Sequence, residues 1–287
     1  MIAEHAQTLK KAPSWLYKAA AQTYIDKEFP RHLFIETTAA CNLRCDYCPR
    51  ERVNTHMDFD LFRAIIDESA HYGARSFSLH LFGEPLLYPK IIEAVRYIKK
   101  KNKSNAVLLT TNGTLLERFG DDLIKSGVNK IIWSWRPEAK FSDSLKARLR
   151  SWGKFAVRLI DEVVPESEKE KWKDWPLLEK RSLHNYGGNI ELSKFGAKNT
   201  AGSRYPCYHL WLAPAVAWNG NHLICCSDPH QKEVIGTFPA MTISEAWKEM
   251  EKYRRWHLEG KYEGICKTCD VWKNYPDIFF RFQKKSS

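Results

Sequence analysis

Short apolar runs alternate with longer stretches of helical periodicity through the first two thirds of the chain. The strand-like runs are Leu33–Thr37, Phe77–Leu81, Ala106–Thr110, Lys130–Ser134, Phe155–Leu159 and Asn189–Leu192. Helical patterns lie between the earlier runs, over Asp58–His71, Lys90–Lys101 and Leu115–Lys125. Strands that alternate with helices in this way predict parallel βα units of an α/β fold. Such units close into a barrel or partial barrel, whose chemistry lies at the carboxyl ends of the strands.

The pattern changes on both sides of this region. Residues 1–30 are basic and contain a helical pattern around Ser14–Lys27. After Leu192, the pattern predicts an apolar strand at Trp211–Trp218, a two-residue turn at Asn219-Gly220, a returning strand at His222–Cys226 and a helix over Ser244–Leu258. We therefore expect a helical extension over 1–30, a barrel or partial barrel of βα units over 31–195, and a small α+β domain with the C-terminal tail over 196–287.

Composition narrows the class of protein. The 287 residues are 44% hydrophobic and 28% charged, without an 18-residue apolar run or an export leader. This indicates a globular cytoplasmic protein without a membrane span. The formal net charge of +11 favours an anionic partner, such as a nucleic acid or a phosphorylated metabolite. Part of the excess, Lys99 to Lys103, ends a predicted helix, where cations complement the helix dipole.

The eight cysteines fall into three groups, at 41/45/48, 207/225/226 and 266/269. In a cytosolic chain of this size, clustered thiols indicate metal binding or catalysis rather than disulfides. Cys41, Cys45 and Cys48 follow the first predicted strand with the spacing C-x3-C-x2-C. Three thiolates can hold three irons of a [4Fe–4S] cluster and leave the fourth iron open. A zinc site would need a fourth ligand, for which the following residues 49–57 offer only His56.

This cysteine loop resembles the motif of the radical S-adenosylmethionine (radical SAM) superfamily, and the resemblance implies that residues 31–195 form a partial (β/α)6 barrel. It also implies further ligand contacts. SAM would chelate the open iron, and Tyr47 would pack against its adenine. The turn Phe82-Gly83-Glu84-Pro85 resembles the family's Gly-Gly-Glu-Pro motif, with Phe82 in place of the first glycine. Gly83 and Glu84 would then bind the amino group of SAM. At the next two strand ends, Asn112 would lie beside SAM, and Ser134 would bind its ribose or carboxylate.

Four further residues are candidates for the substrate pocket. Trp135 and Arg136 follow the fourth predicted strand, where they could stack on or pair with a planar anionic group. They could equally pack against the following helix. His184 and Tyr186 precede the last predicted strand, at a position where relatives carry substrate contacts. The adjacent glycines also suit a simple tight turn.

A second metal site is predicted from Cys207, Cys225, Cys266 and Cys269. Four thiolates satisfy either a [4Fe–4S] cluster or a structural zinc. The order C…G-x4-C…C-x2-C resembles the SPASM/twitch extension of radical SAM enzymes, and the first site already commits the protein to iron–sulfur assembly. We therefore expect an auxiliary [4Fe–4S] cluster. Cys226 neighbours Cys225 on a predicted strand and should face the opposite side.

The resemblance implies an enzyme that cleaves SAM to a 5′-deoxyadenosyl radical, which abstracts hydrogen from an unactivated C–H bond and yields oxidation or rearrangement. A reducing partner such as flavodoxin or ferredoxin would supply the electron. The substrate class is open between a nucleotide or modified base in nucleic acid, an aminocyclitol or sugar, and a ribosomal peptide. Basic charge and the aromatics Trp135, Trp172 and Trp175 suit the first. The alternative class is a non-enzymatic iron–sulfur electron carrier or nucleic-acid-binding protein.

Overall fold

The computed structural model describes residues 26–51, 53–197, 204, 206–212 and 214–274. The helix predicted around Ser14–Lys27 lies almost entirely outside these residues. The strands are β1 (His32–Ile35), β2 (Ser76–Ser78), β3 (Ala106–Thr111), β4 (Lys130–Ser134), β5 (Phe155–Ile160), β6 (Leu178–Arg181), β7 (Ala215–Val216), β8 (Asn221–Leu223) and β9 (Val234–Thr237). The α-helices are α1 (Phe59–Ala70), α2 (Ile91–Lys101), α3 (Leu116–Ser126), α4 (Asp143–Trp152), α5 (Glu166–Trp172), α6 (His209–Leu212), α7 (Ile243–Glu249) and α8 (Glu251–Leu258).

All of these strands belong to one sheet with the order β6-β5-β4-β3-β2-β1-β7-β8-β9. Strands β1 to β6 run parallel, and helices connect most of them. Strand β7 pairs parallel to β1, and β8 and β9 continue antiparallel. The prediction of an α/β barrel followed by a smaller domain is therefore confirmed. The smaller domain continues the barrel's own sheet along the edge of β1.

The alternation of side chains along β1 to β5 defines two faces of the sheet. Residues such as Leu33, Phe77 and Val157 are buried under the helices in the main apolar core. Because successive side chains point to opposite faces, the intervening residues line the other face, which we call the interior face. Its polar residues include His32, Glu36, Ser76, Ser78, Lys130 and Arg158. The barrel therefore has an apolar layer under the helices and an interior face of mixed polarity.

The sixth strand was predicted in the wrong place. Residues 189–192 form the end of a turn and the start of a 3-10 helix, Leu192–Phe195, whereas β6 is formed by the sequence Leu-Glu-Lys-Arg. Of its four residues, only Leu178 packs against the main core. The strand therefore needs no apolar run. Its register with β5 places Glu179 opposite Arg158 and Arg181 opposite Ile160 on the interior face. Charge pairing replaces apolar burial there, so hydrophobic periodicity does not detect the strand.

Two details of the smaller domain also differ from the prediction. The run Trp211–Trp218 divides into the end of α6 and the short strand β7. The hairpin loop has three residues rather than two, since Val216 pairs with His222 and Ala217 donates to the carbonyl of Asn221 at 2.9 Å. Gly220 closes this loop with φ of 86°, the left-handed conformation that such a three-residue hairpin needs. The predicted helix over 244–258 is two helices, α7 and α8, that meet at Met250.

Three tryptophans that the sequence suggested for stacking on a ligand belong to the main core. Trp135 is 8% exposed. Trp172 packs edge-to-face on Trp133 with ring centroids 4.9 Å apart, and Trp175 donates from Nε1 to the carbonyl of Phe155 at 2.9 Å. These rings are therefore engaged in packing. No helix in the described part of the chain is long and apolar enough to cross a membrane.

Two histidines on the interior face predict a stability that depends on pH. Burial lowers the pKa of His32 to about 4 and that of His80 to about 3. In the unfolded chain both rings take up protons near pH 6.5, whereas the folded rings stay neutral, so stability is present above that pH and is lost as the pH falls towards the folded pKa. We expect the free energy of unfolding to decrease by on the order of 1 kcal/mol per ring between pH 8 and pH 5.5.

The measurement is the melting temperature of the cluster-loaded protein at these two pH values. The variant His32→Gln should show a smaller decrease on acidification than the unchanged protein. His71→Gln is the control, because His71 is exposed at the end of α1. An equal decrease in His32→Gln and the unchanged protein would contradict the assignment.

Candidate metal and cofactor site

The loop that carries Cys41, Cys45 and Cys48 begins just beyond β1 and is closed at its base. Thr38 donates from Oγ1 to the carbonyl of Thr55 at 2.9 Å, and its hydroxyl lies 2.8 Å from Nδ1 of His56. The amide of Ala39 donates to the same Thr55 carbonyl at 3.0 Å. All three cysteines are partly exposed, and none of them forms a disulfide. The closed base holds them together at the carboxyl edge of the barrel.

Glu84 links the next two strand ends beneath this loop. Its amide donates to the carbonyl of Ala40 at 2.8 Å, which ties the turn after β2 to the start of the cysteine loop. Its carboxylate accepts from the Thr111 hydroxyl at 2.6 Å, the Asn112 amide at 2.7 Å and the Leu86 amide at 3.1 Å. Burial raises the pKa of Glu84 to about 6 despite these donors. Glu84, the predicted SAM contact, therefore also joins the ends of β2 and β3.

Two N–H donors reach the cysteine sulfurs from the ends of β3 and β4. Asn112 Nδ2 lies 3.9 Å from Cys41 Sγ, and Arg136 Nε lies 3.3 Å from Cys45 Sγ. The guanidinium of Arg136 also donates to Ser134 Oγ at 3.1 Å and stands 5.0 Å from the ring centre of Tyr47. Donors of this kind stabilise thiolate sulfur. The structure thus brings together Tyr47, Gly83, Glu84, Asn112, Ser134 and the three cysteines.

The two pocket candidates after β4 lie on different faces. Trp135 continues the alternation of Ile131 and Trp133 and is buried in the main core under the helices. Arg136 lies on the opposite side and reaches the cysteine loop. The sequence left two alternatives for these residues, packing against the helix or a position at the site. Trp135 packs in the core, and Arg136 lies at the site.

His184 and Tyr186 lie on a loop that joins the barrel to the second cysteine group. Tyr186 packs on Phe82 with ring centroids 5.6 Å apart, and burial lowers the pKa of His184 to about 4. Between them, the Asn185 amide donates to Asp270 Oδ1 at 2.9 Å. The Asn185 side chain donates to the carbonyl of Thr268 at 2.7 Å. The loop therefore contacts both the Gly-Glu-Pro turn and the C-x2-C segment.

The second cysteine group lines one cavity in the smaller domain. Its lining includes Cys207, Cys225, Cys266, Cys269, Arg204, His209, His257 and Trp272. Burial and the neighbouring Cys225 sulfur raise the pKa of Cys269 to about 12, and burial with the neighbouring cysteines raises the pKa of Cys207 well above its usual value. Sulfurs gathered so closely away from water resist ionisation unless a cation neutralises them. The donor set therefore fits a buried metal centre.

Four thiolates on one zinc would lie only about 3.8 Å apart, given Zn–S bonds of about 2.3 Å. Among the described residues, the one group of three or more His, Cys, Asp or Glu ligand atoms within 4.8 Å of one another is His209, Cys225 and Cys226. This group is neither of the two predicted cysteine sets.

The expectation that Cys226 faces away from Cys225 on a strand is wrong, because both residues follow the end of β8 and their sulfurs lie within 4.8 Å of each other and of a ring nitrogen of His209. Cys226 does not line the cavity. Its sulfur lies 3.8 Å from Nδ1 of His209. Arg204 was not identified from the sequence. It donates to the carbonyls of Cys266 and Lys267 and stacks on Tyr262 at 4.0 Å, so it covers the cavity.

A charged group on the interior face was also not predicted from the sequence. Lys130, Arg158, Glu179 and Arg181 come from three adjacent strands and form ion pairs. An arginine in the middle of the apolar run Phe-Ala-Val-Arg-Leu-Ile was the one available signal. Its partner lay on the undetected strand β6.

Comparisons with known proteins agree with this architecture. The model of the radical SAM superfamily matches residues 35–132, and the model of an iron–sulfur cluster-binding domain, SPASM, matches residues 202–270. A GTP 3′,8-cyclase from Chlorobaculum tepidum is 36% identical over 120 residues, which is 40% of this chain and 36% of that protein. A tungsten-containing aldehyde ferredoxin oxidoreductase cofactor-modifying protein from Pyrococcus furiosus is 32% identical over 109 residues, which is 36% of this chain and 30% of that protein. The chain thus matches only about a third of the length of these relatives.

Solved structures share the fold over most of the chain. BtrN in complex with AdoMet and 2-DOIA superposes with a TM-score of 0.62 at 22% identity, covering 85% of this chain and 94% of BtrN. SuiB of Streptococcus suis bound to the precursor peptide SuiA gives a TM-score of 0.65 at 15% identity, covering 89% of this chain and 72% of SuiB. At these identities the likeness concerns the fold alone.

Proposed function

The chain belongs to the radical SAM superfamily and carries a C-terminal SPASM domain, and from this premise we propose that it removes hydrogen from an unactivated C–H bond of a small anionic substrate. When bound, the three-cysteine cluster would supply one electron for the cleavage of SAM. The product of that cleavage would take the hydrogen atom. We assign residues 31–195 to this reaction and residues 196–287 to the auxiliary cluster. The observation that carries the proposal is the meeting of the cysteine loop with Glu84, Asn112 and Arg136 at successive strand ends.

The residues of this chain position and shield the reacting groups. Asn112 and Arg136 direct N–H donors at the sulfurs of Cys41 and Cys45. Glu84 fixes the turn after β2 against the loop and is only 2% exposed. Such fixed donors orient a bound cofactor without reorganisation at the moment of reaction. Tyr47 and Ser134 complete the proposed SAM-binding surface.

The auxiliary cluster is proposed for Cys207, Cys225, Cys266 and Cys269. Asn185 and Asp270 hold the loop with His184 and Tyr186 against this domain. This contact would place the auxiliary cluster near the barrel interior, where the cluster would accept an electron released by the substrate. The electron that starts the reaction would come from an external donor such as flavodoxin or ferredoxin.

A small substrate is favoured over a nucleic acid. The tryptophans that suggested base stacking are engaged in core packing, and part of the positive charge counted in the composition lies on the interior face, where Lys130 and Arg158 pair with Glu179. The names of several relatives specify GTP, an anionic nucleotide. These observations support an anionic small molecule as the substrate class.

The test is anaerobic reconstitution with iron and sulfide, followed by reduction in the presence of SAM. We expect 5′-deoxyadenosine, detected by chromatography and mass spectrometry. Its absence from protein whose iron content shows both clusters would contradict the proposed activity and favour a non-enzymatic iron–sulfur carrier.

The contact between Arg136 and Cys45 predicts a change in redox potential that can be measured without turnover. Loss of its cationic N–H donor to Cys45 should shift the midpoint potential of the three-cysteine cluster to more negative values, because hydrogen bonds and positive charge at the sulfurs favour the reduced cluster. The variant is Arg136→Gln, and the measurement is a redox titration followed by electron paramagnetic resonance. The response of the signal to added SAM identifies the three-cysteine cluster.

The matched control is Arg118→Gln, since Arg118 is exposed on α3. Its potential should equal that of the unchanged protein. A potential for Arg136→Gln that is unchanged or higher would remove Arg136 from this role.

A further inference from the structure

We propose that His257 and Arg204 donate N–H hydrogen bonds to the sulfurs of the auxiliary cluster and thereby raise its reduction potential. This role rests on the proposed function, which assigns that cluster to the second cysteine group, and it gives the cluster two residues that set its redox behaviour. Each of the two side chains has a buried nitrogen atom without a hydrogen-bond partner among the described residues.

His257 lies on α8 and lines the same cavity as the second cysteine group. The amide of Cys207 donates to Nδ1 of His257 at 3.1 Å. Because a ring nitrogen that accepts a hydrogen bond carries no proton, the proton of this neutral ring lies on Nε2. The residue is only 3% exposed, and Nε2 has no hydrogen-bond partner in the described part of the chain. His257 therefore holds a buried N–H group that lacks an acceptor.

Arg204 lines this cavity as well and is fixed by its other contacts. Its two terminal nitrogens donate to the backbone carbonyls of Cys266 and Lys267, the latter at 3.0 Å. The guanidinium lies over the ring of Tyr262, 4.0 Å from the ring centre. The remaining nitrogen, Nε, is buried and has no partner among the residues that the structure describes. A second N–H group without an acceptor is therefore held beside the C-x2-C segment.

The charge of Arg204 reaches both the histidine ring and a proposed cluster ligand. Burial lowers the pKa of His257 to about 3, and the charge of Arg204 acts in the same direction. Burial and the neighbouring sulfurs raise the pKa of Cys266, whereas Arg204 acts in the opposite direction. The cavity wall thus combines a neutral donor with a cationic one.

A buried N–H group without an acceptor costs about 1–3 kcal/mol, and native structures contain few such groups. Two of them in the wall of one cavity indicate that the occupant of the cavity accepts hydrogen bonds. The sulfurs of an iron–sulfur cluster do so, since the thiolates and sulfides carry negative charge. The two donors therefore fit the group that the four cysteines would bind.

Such donors change the redox behaviour of a cluster. Hydrogen bonds and positive charge at the sulfurs favour the reduced state, because reduction adds negative charge. His257 and Arg204 would therefore raise the midpoint potential of the auxiliary cluster. A higher potential favours uptake of an electron, which is the role proposed for this cluster. The cysteine loop has corresponding donors in Asn112 and Arg136.

The test is a redox titration of protein with both clusters loaded, followed by electron paramagnetic resonance. The auxiliary cluster gives the signal that added SAM does not change. We expect Arg204→Met to lower the equilibrium constant for reduction of this cluster about tenfold, which is about 59 mV for a one-electron couple. His257→Asn should shift the potential in the same direction by less, because the shorter amide still accepts from Cys207 but does not reach the position of Nε2. The three-cysteine cluster should keep its potential in both variants.

Exposed residues of the same types supply matched controls. Arg255→Met on α8 and His230→Asn change exposed side chains and should leave both potentials unchanged. His257→Gln tests rescue, since its longer amide reaches the position of Nε2 and should restore part of the potential lost in His257→Asn. An auxiliary potential that is unchanged or higher in Arg204→Met or in His257→Asn would overturn the role of that residue.

Iron content separates this role from a structural one. Each variant should keep about eight irons per chain. Loss of about four irons from both Arg204→Met and His257→Asn would show that these residues retain the cluster rather than set its potential, and would overturn the proposal. Formation of 5′-deoxyadenosine tests the proposed function separately. Protein whose auxiliary potential shifts as expected but which forms no 5′-deoxyadenosine would contradict the proposed activity alone.

Discussion

Replacement of Cys45 by serine is expected to halve the iron content of the reconstituted protein, from about eight to about four atoms per chain, and to reduce 5′-deoxyadenosine to background. The three cysteines on the loop after β1 leave no spare thiol nearby. A hydroxyl at position 45 is a poor ligand for iron and removes the sulfur to which Arg136 Nε donates at 3.3 Å. The measurement is iron and sulfide analysis, together with detection of 5′-deoxyadenosine after reduction with SAM.

Cys226→Ser is the matched control. Cys226 is adjacent to a proposed ligand but lies outside the cavity of the second group, so its replacement should leave about eight irons and normal SAM cleavage. Cys269→Ser should also lose about four irons but keep the three-cysteine cluster. Full iron content and activity in Cys45→Ser would exclude the loop as the site of SAM cleavage. Loss of one cluster in Cys226→Ser would reassign the auxiliary ligands.

The parts of the fold that local pattern determines could be predicted from the sequence. Strands β1, β3, β4 and β5 carry alternating apolar residues under the helices, and the cysteine spacing lies within one short loop. Because parallel strands end at one edge, residues at successive strand ends could be expected to meet. Glu84 and Asn112 do so, through a hydrogen bond of 2.7 Å.

What could not be predicted depends on contacts between distant segments. Strand β6 has charged residues at its interior positions, and they make sense only beside Arg158 and Lys130 on other strands. Asn185 is held by Asp270, 85 residues further along the chain. No local pattern reports such pairs. The pairing of β7 with β1, which joins the two domains in one sheet, is non-local in the same way.

One difference follows from strand alternation. Trp135 and Arg136 are both pocket candidates by their place in the sequence, although consecutive residues that continue a strand point to opposite faces. Since Ile131 and Trp133 had to face the helices, the same alternation assigns Trp135 to the core and Arg136 to the site. The structure shows this division.

Gly83→Ala is expected to destabilise the protein by roughly 3 kcal/mol or more, which corresponds to a decrease of about 6–10 °C in melting temperature. A Cβ atom at this position would overlap the carbonyl oxygen of Thr38 and lie 2.8 Å from its carbonyl carbon and 3.0 Å from the carbonyl oxygen of Ala40. These are backbone atoms at the base of the cysteine loop, so no side-chain movement relieves the overlap. The turn would have to move away and break the hydrogen bond from the Glu84 amide to Ala40.

Because that movement also displaces Glu84 from the ends of β2 and β3, Gly83→Ala should retain less iron at the three-cysteine site than the unchanged protein, while the second site keeps its iron. Gly120→Ala is the matched control, since its Cβ would approach only the flexible Leu145 side chain, at 3.1 Å, and alanine favours the helix. Melting temperature and iron content of both variants are the measurements. A Gly83→Ala protein with unchanged melting temperature and iron content would show that the turn does not need to lie against the cysteine loop.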